Sequence, residues 1–336
     1  MITLKGIKGS RLGEYLLTIL VVVTLNFMLP RAMPGDPFLF LSGEEAGDIV
    51  VSYSEEQRQQ YLEFYGLNKP VLSQYFAYLS ELCRGNLGFS LYYNAPVSSI
   101  ILSRLGWTVF LVLAAVIFST LIGAALGSIS AWYREKWVDK TLYALMITIS
   151  EIPAFLLGLI LLFGLAVGLK LFPLSGAITH FADYQHWWSK LLDILHHSIL
   201  PITALTIARL GGMYLLSRNS ITTVLAKDYI RTAQAKGLLK KRIIYRHALK
   251  NALLPIVTRI FLSIGGLVGG AILVENVFAY PGLGLLMRQS VMYHDYPLIQ
   301  GIFLVVTILV LLANFTSDLV YKKLDPRVGQ LEVAQK

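Results

Sequence analysis

Hydrophobic positions in this chain fall in long, nearly unbroken blocks separated by polar stretches, the pattern of membrane-spanning helices and not of alternating strands. A helix needs roughly 20 mainly apolar residues to cross a bilayer. Six blocks meet that length, at about 11–30, 102–131, 139–168, 198–217, 252–274 and 298–321. They predict an all-α integral membrane protein of six transmembrane helices. Residues 1–30 hold the N-terminus and first span, 31–101 an external segment, 102–321 a five-helix core with a polar loop at 218–251, and 322–336 a tail. Lys5, Lys8 and Arg11 precede the first block as in a signal peptide, but no small-residue cleavage site follows, so the span is expected to stay. Arg31 to Pro37 (RAMPGDP) reads as a turn. Pro153 removes a helix hydrogen bond inside the third span and predicts a kink there. Ser54 with Gln57 makes a capping box for a helix near Ser54–Tyr65 in the outer segment.

Composition agrees with the pattern: 55% of residues are hydrophobic, 15% are charged and mean hydropathy is +0.62, against about a quarter charged in soluble domains. In such a chain the net charge of +9 speaks first of topology, not of nucleic acid. The segments before span one, between two and three, between four and five, and after six hold, with their immediate flanks, 19 of the 29 Lys and Arg. Both termini are therefore expected in the cytoplasm. The acids Glu44, Glu45, Asp48, Glu55 and Glu56 fall on the outer side. Single Cys83 excludes an intrachain disulfide framework and a thiolate metal site.

The loop between spans four and five is the most distinctive polar stretch. It carries nine Lys or Arg between Arg218 and Lys250. A solvated anchor at anionic headgroups is the plain reading. Three features ask for more. Ala233 and Gly237 lie four apart and predict a small-residue face open to close backbone approach. Leu238, Leu239, Ile243, Ile244 and Tyr245 add apolar surface, and Pro255 is a natural place to change direction into span five. The whole reads as a helix–turn–helix along the membrane surface, built to dock something.

The stretches Arg231 to Gly237 (RTAQAKG) and Arg246 to Pro255 (RHALKNALLP) resemble the cytoplasmic coupling loop of bacterial ABC importer permeases, and more narrowly the dipeptide/oligopeptide/nickel branch. Met33–Pro37, Tyr65–Pro70, Gly85–Ser90, Ser150–Phe155, Glu275–Gly284, His294–Pro297 and Leu324–Arg327 carry the likeness over nearly the whole chain. The broad importer motif begins Glu-Ala-Ala where this chain has Arg231, Thr232 and Ala233, a departure similar to the peptide/nickel branch.

The resemblance implies a permease subunit of the first type, with a long external segment after span one, in a bacterial inner membrane. It implies a second, different permease as partner, cytoplasmic ATP-binding subunits, and an external substrate-binding protein that delivers cargo. Arg231, Thr232, Ala233, Ala235, Lys236, Gly237 and Leu238 would meet the ATPase. The turn bearing Glu275, Phe278, Tyr280 and Pro281 would lie near the external gate. Di- or oligopeptide is the expected cargo, with nickel chelate or oligosaccharide as alternatives.

The residues themselves agree that the energy source is elsewhere. No G-x-x-x-x-G-K-[ST] loop is present to cradle phosphates, so ATP and Mg are expected on partner subunits, with no cofactor and no catalytic residue in this chain. The glycines of Gly265–Gly270 fall within span five and predict helix packing or a flexible point. H-E-x-x-H and G-x-S-x-G are absent. An ion-coupled secondary transporter is the rival of a different class. Glu151 and Arg209 fall near mid-bilayer, where a lone charge costs at least about 2.5–3.5 kcal/mol. They are expected to pair with each other or to line the translocation route. His180, His186, His196 and His197 in the second outer segment lack ligand spacing, so no metal site is expected, and Trp187 and Trp188 read as interfacial anchors.

Overall fold

A computed structural model describes residues 9–32, 68–90, 92–239, 242–243 and 249–324. The turn at 33–37, the acids from Glu44 to Glu56, the Ser54–Gln57 capping box, the loop residues Ile244 to His247 and the motif residues Asp325 to Arg327 lie outside the described residues. The chain divides into two compact units. One comprises Met1–Gly106 with Leu285–Leu309, the other Trp107–Gly284 with Val310–Lys336.

In the first unit, α1 (Gly9–Ala32) packs on α2 (Val71–Cys83) of the expected outer segment. Phe27, only 1% exposed, meets the rings of Tyr75 and Tyr78, and the Arg31 guanidinium lies 3.6 Å from the Phe27 ring centre. Thr24 and Tyr75 share a hydroxyl hydrogen bond of 2.7 Å, and Arg31 donates to Gln74 at 2.8 Å. A two-residue hairpin, β1 (Phe89–Ser90) and β2 (Ala95–Pro96), pairs Ser90 with Ala95 and leads into α3 (Val97–Trp132). It docks on the junction of α9 (Leu283–Met292) and α10 (Tyr296–Leu324). Buried Asp295 accepts from the Ser90 hydroxyl at 2.5 Å and from the Leu298 N–H at 3.2 Å, the second bond capping α10. Tyr92 stacks on Tyr293 at 3.8 Å. Two motifs noted separately in the sequence, Gly85–Ser90 and His294–Pro297, are thus one structural feature.

The second unit is built around α6 (Trp187–Leu225), which packs against α4 (Trp137–Ser150), α5 (Ala154–Leu161) and α8 (Leu249–Val277). Close approach comes from small residues. A Cβ on Gly123 would lie 2.8 Å from Met213 Cβ, one on Gly127 2.7 Å from Ser217 Cβ, and one on Gly211 2.5 Å from the Met146 carbonyl. Gly123 and Gly127, four apart on α3, are the small-residue interface that brings two backbones together. Of the glycines at Gly265–Gly270, read as helix packing or a flexible point, Gly266 packs against the Arg209 side chain of α6, where a Cβ would come within 2.8 Å of Nη2, while a Cβ on Gly269 or Gly270 would meet nothing within 4 Å.

The third expected span is a broken one. α4 ends at Ser150, α5 begins at Ala154 and continues as a π-helix at Leu162–Gly168, and the two parts bend by 96°. The predicted kink at Pro153 is a full break, because Pro153 takes an extended ψ of 142° and stands at the N-cap of the second helix. Pro255, by contrast, does not turn the chain. It lies inside α8, where buried Ala252 and Ile256 flank it and their packing outweighs one lost hydrogen bond.

Among the described residues, α3, α6 and Tyr296–Val320 of α10 are each long and apolar enough to cross a membrane, and the bent pair passes the same test only when its two parts are counted together. Helices α1 and α8 cover the remaining two expected spans.

Candidate functional site

Three places in the second unit hold the residues singled out in the sequence. The first is an open cavity of about 440 Å³ lined by Glu151, Arg209, Arg259, Ser150, Ser263 and Gly212 among others. The helix break exposes Glu151, the C-cap residue just past the end of α4, and α6 and α8 supply the two arginines. Among the described residues Glu151 and Arg209 form no ion pair within 4.0 Å; they share a cavity wall instead. Of the two expectations for these charges, pairing is not what the side chains do. The Arg209 guanidinium lies against α8, where a Cβ on Gly266 would come within 2.8 Å of its Nη2. Arg259 was missed in the sequence, although its place seven residues before Gly266 puts it two turns away on the same helix face.

The second place is a buried polar lock. Arg218 donates from Nε and Nη2 to the two Asp139 oxygens, each at 2.7 Å. Ser130 donates to Asp139 and shares a 2.6 Å bond with the Tyr214 hydroxyl, and the Glu135 N–H reaches Asp139 at 3.0 Å. The lock joins α3, α4 and α6. Sequence reading left Asp139 and Arg218 at the edges of spans. Their depth and their opposite charges were the signal that could have joined them.

Seven residues beyond Arg218, α6 ends and the basic arm begins as α7 (Asp228–Ala235). Ile230, Ala233 and Ile243 are buried together, with Val224, Leu225 and Leu238 packed against them. Val224 and Leu225 also pack on Ile221, Ala131 and Ala252. The arm is therefore fastened to α6 by an apolar seam. Its outer side shows Arg231, Thr232, Ala235, Lys236 and Gly237. Arg231 is 76% exposed in its side chain and makes only a loose surface contact of 3.7 Å with Asp228.

The small-residue face is corrected by these positions. Ala233 is 8% exposed and faces inward, while Gly237 ends the helix with φ +71°. The Leu238 N–H bonds the Ala233 carbonyl at 3.3 Å and the Lys236 N–H that of Thr232 at 3.0 Å, closing the helix end in the manner of a glycine cap. A Cβ on Gly237 would meet nothing, so the positive φ alone asks for glycine. Gly237→Ala should cost about 1 kcal/mol and Gly237→Asn less, since Asn tolerates the left-handed region. Melting of the two purified variants checks this, and equal losses would move the cause from backbone to contacts.

The third place is the Glu275–Gly284 turn. Glu275 is fully buried and accepts from the Gly284 N–H at 2.6 Å. Buried Tyr280 shares a 2.8 Å bond with Ser198 and meets Trp107 edge-on. Buried Phe278 packs near Gly158, its carbonyl accepts from the Gly176 N–H at 2.9 Å, and Pro281 is half-buried. Thr108 takes the Leu283 N–H at 2.8 Å. These four candidate gate residues form a clasp tying α3, α5, α6 and α8. The expected irregular turn is covered by protein, as backbone at that depth requires.

The outer-segment histidines do not converge. His196 contacts the Leu171 carbonyl and His197 that of Asp193, and among the described residues no group of three metal-ligating side chains exists. Asp193 instead takes the Thr179 N–H and hydroxyl and the Tyr184 hydroxyl, a bond that raises the Tyr184 phenol above its ordinary range. Trp187 and Trp188 stack at 3.5 Å and stand exposed at the start of α6, as interfacial anchors would.

Residues 123–330 match the family model for a binding-protein-dependent transport system inner membrane component. The chain is 34% identical to the oligopeptide transport system permease protein AppB of Bacillus subtilis, covering 92% of this chain and 95% of that one. It is also 34% identical to the dipeptide transport system permease protein DppB of Escherichia coli K12, covering 95% and 97%. The glutathione transport system permease protein GsiC of Salmonella choleraesuis is similar at 34% over the same shares. Among solved structures, a chain of the inward-facing MetNI methionine ABC transporter aligns with TM-score 0.55 and 18% identity, over 68% of this chain and 97% of that one.

Proposed function

This chain belongs to the family of binding-protein-dependent transport system inner membrane components, and on that premise we propose that it is the membrane-spanning permease subunit of an ATP-driven importer of short peptides. The observation that carries the mechanism is the two-sided arm: α7 is riveted to α6 by Ile230, Ala233, Val224 and Leu225, while its basic outer side stays open. A partner that closes on ATP and grips Arg231, Thr232, Ala235 and Lys236 moves α6 with it. The Asp139–Arg218 lock carries that movement to α4 and α3, so the spans tilt as a body and open the cavity to one side at a time. Ala233 and Leu238 serve the seam and not the grip. Gly237 sets the end of the helix.

The basic arm faces the cytoplasm in this reading, as do both termini, and an external binding protein delivers cargo on the opposite face. A second, different permease covers the charged wall of the cavity, since Glu151, Arg209 and Arg259 cannot face lipid cheaply. The names of the similar permeases support peptide over nickel chelate or oligosaccharide.

Extraction of the tagged chain from native membranes should bring down an ATP-hydrolysing subunit and a second permease, cross-linkable through Lys236→Cys. Recovery of the chain alone would return the reading to an ion-coupled transporter. Reversing both exposed charges, Arg231→Glu with Lys236→Glu, should leave yield unchanged and reduce ATP-driven uptake at least roughly tenfold, since a like-charge contact costs several kcal/mol. Full uptake by that variant would remove α7 from the coupling route.

A further inference from the structure

The cavity between α4, α6 and α8 brings two arginines and one glutamate to a single wall, Glu151 and Arg209 from the middle of predicted spans and Arg259 from the first third of the fifth. Arg209 and Arg259 line the same cavity, so two like charges share one wall. Among the described residues no carboxylate lies within 4.0 Å of either guanidinium. Two such cations facing one another in a membrane-embedded space raise each other's cost, and a bound anion relieves it. The wall is also shaped for one. Gly266 leaves room for the Arg209 guanidinium against the α8 backbone, and Ser150, Ser263 and open Gly212 put small and polar groups beside the apolar Ala208, Met213 and Leu215. A volume of about 440 Å³ lies within the range of roughly 300–1,000 Å³ typical of small-molecule sites.

We propose that Arg209 and Arg259 form an intramembrane station for the free carboxylate of the cargo, the C-terminal carboxylate of a short peptide. A planar guanidinium presents paired N–H groups that match a carboxylate, which a neutral amide cannot answer as well. Glu151 on the same wall lowers the net positive charge to a single unit, so the anion is attracted without being trapped, as a conducting path requires. The proposal rests on the peptide-importer reading. It adds that the permease itself, and not only a delivering protein, discriminates the charged end of the cargo.

The test labels the wall directly. The full-length chain, assembled with its partner subunits in phosphatidylcholine nanodiscs, carries Cys83→Ser and Gly212→Cys; a side chain at 212 has open space. It is reacted with the anionic sulfonatoethyl and the cationic trimethylammonioethyl methanethiosulfonates, each rate divided by that for a free small thiol, and labelling is read by mass on this chain. The anionic reagent is expected to be favoured, and Arg209→Gln or Arg259→Gln to cut that preference about tenfold. Arg209→Lys and Arg259→Lys should keep it. Dialanine should slow labelling, and dialanine amide should not. An unchanged preference in both Gln variants, or equal protection by the amide, overturns the station. If the Gln variants fail to assemble, the acid–amide comparison on the unaltered arginines decides alone. Because labelling needs no transport, absent peptide uptake with an intact anion preference would retire the peptide reading and leave the site. Normal uptake without the preference would do the reverse.

Discussion

Asp139→Leu should destabilise the chain by about 3–5 kcal/mol, the cost of leaving a buried partner charge uncompensated. Asp139 is 3% exposed, and its carboxylate takes both arms of Arg218, the Ser130 hydroxyl and the Glu135 N–H. Removing it leaves the Arg218 guanidinium at a junction of three helices with the Ser130 hydroxyl, its partner Tyr214 and the face of Tyr143 beside it. The double replacement Asp139→Leu with Arg218→Met should be milder than either single change, because no lone charge remains. Thermal unfolding of the detergent-purified variants, with yield as a second readout, checks both statements. A single variant as stable as the parent would mean water already screens the pair. If the double variant recovers stability yet transports poorly, the lock serves motion as well as folding, as the proposed stroke through α6 requires.

Gly284→Ala is the second large expectation, and it acts by space instead of charge. A Cβ at 284 would lie 2.5 Å from the Ile272 carbonyl oxygen and 2.8 Å from a Glu275 carboxylate oxygen. The first obstacle is backbone near the C-terminal end of α8, so nothing at the end of a flexible side chain can swing aside. Forced overpacking in a dense interior costs about 1–3 kcal/mol. The same shift would lengthen the 2.6 Å bond from the Gly284 N–H to Glu275, and an unmet acceptor at a fully buried carboxylate adds about 1–3 kcal/mol more. Glu275→Gln keeps an oxygen for that N–H and should therefore be tolerated better than Gly284→Ala. The reverse order, measured as melting temperature and assembled yield, would show that the clasp depends on the charge of Glu275 and not on its hydrogen bond.

Hydropathy along the chain was enough to locate the long apolar helices but not α2 or α9, which lie outside the six blocks. The third span, 139–168, corresponds to α4, α5 and the π-helical end, and the break was foreshadowed by Pro153, whose missing N–H acts wherever the residue falls. The arm was legible from its charge, and the family from its ordered motifs. What failed did so for one reason. Gly265–Gly270 is a denser glycine cluster than Gly123 and Gly127, yet the backbone-to-backbone crossing is at the latter and only the Arg209 side chain is taken in at Gly266, because which face of a helix meets another depends on rotation and not on composition. Ala233 and Gly237 share a helical spacing, but the seam under α7 turned Ala233 inward and left Gly237 to end the helix.

Bilayer energetics therefore give the class and the approximate apolar spans from residue order alone, since transfer of each side chain into hydrocarbon is summed locally along the chain. Contacts distant in sequence needed the folded helices. Ser90 meets Asp295 across 205 positions, Arg218 meets Asp139 across 79, and Arg259 joins Arg209 on a wall that no single segment announces. Each of these is fixed by the crossing and rotation of rigid helices, a property of close packing among side chains far apart in the sequence.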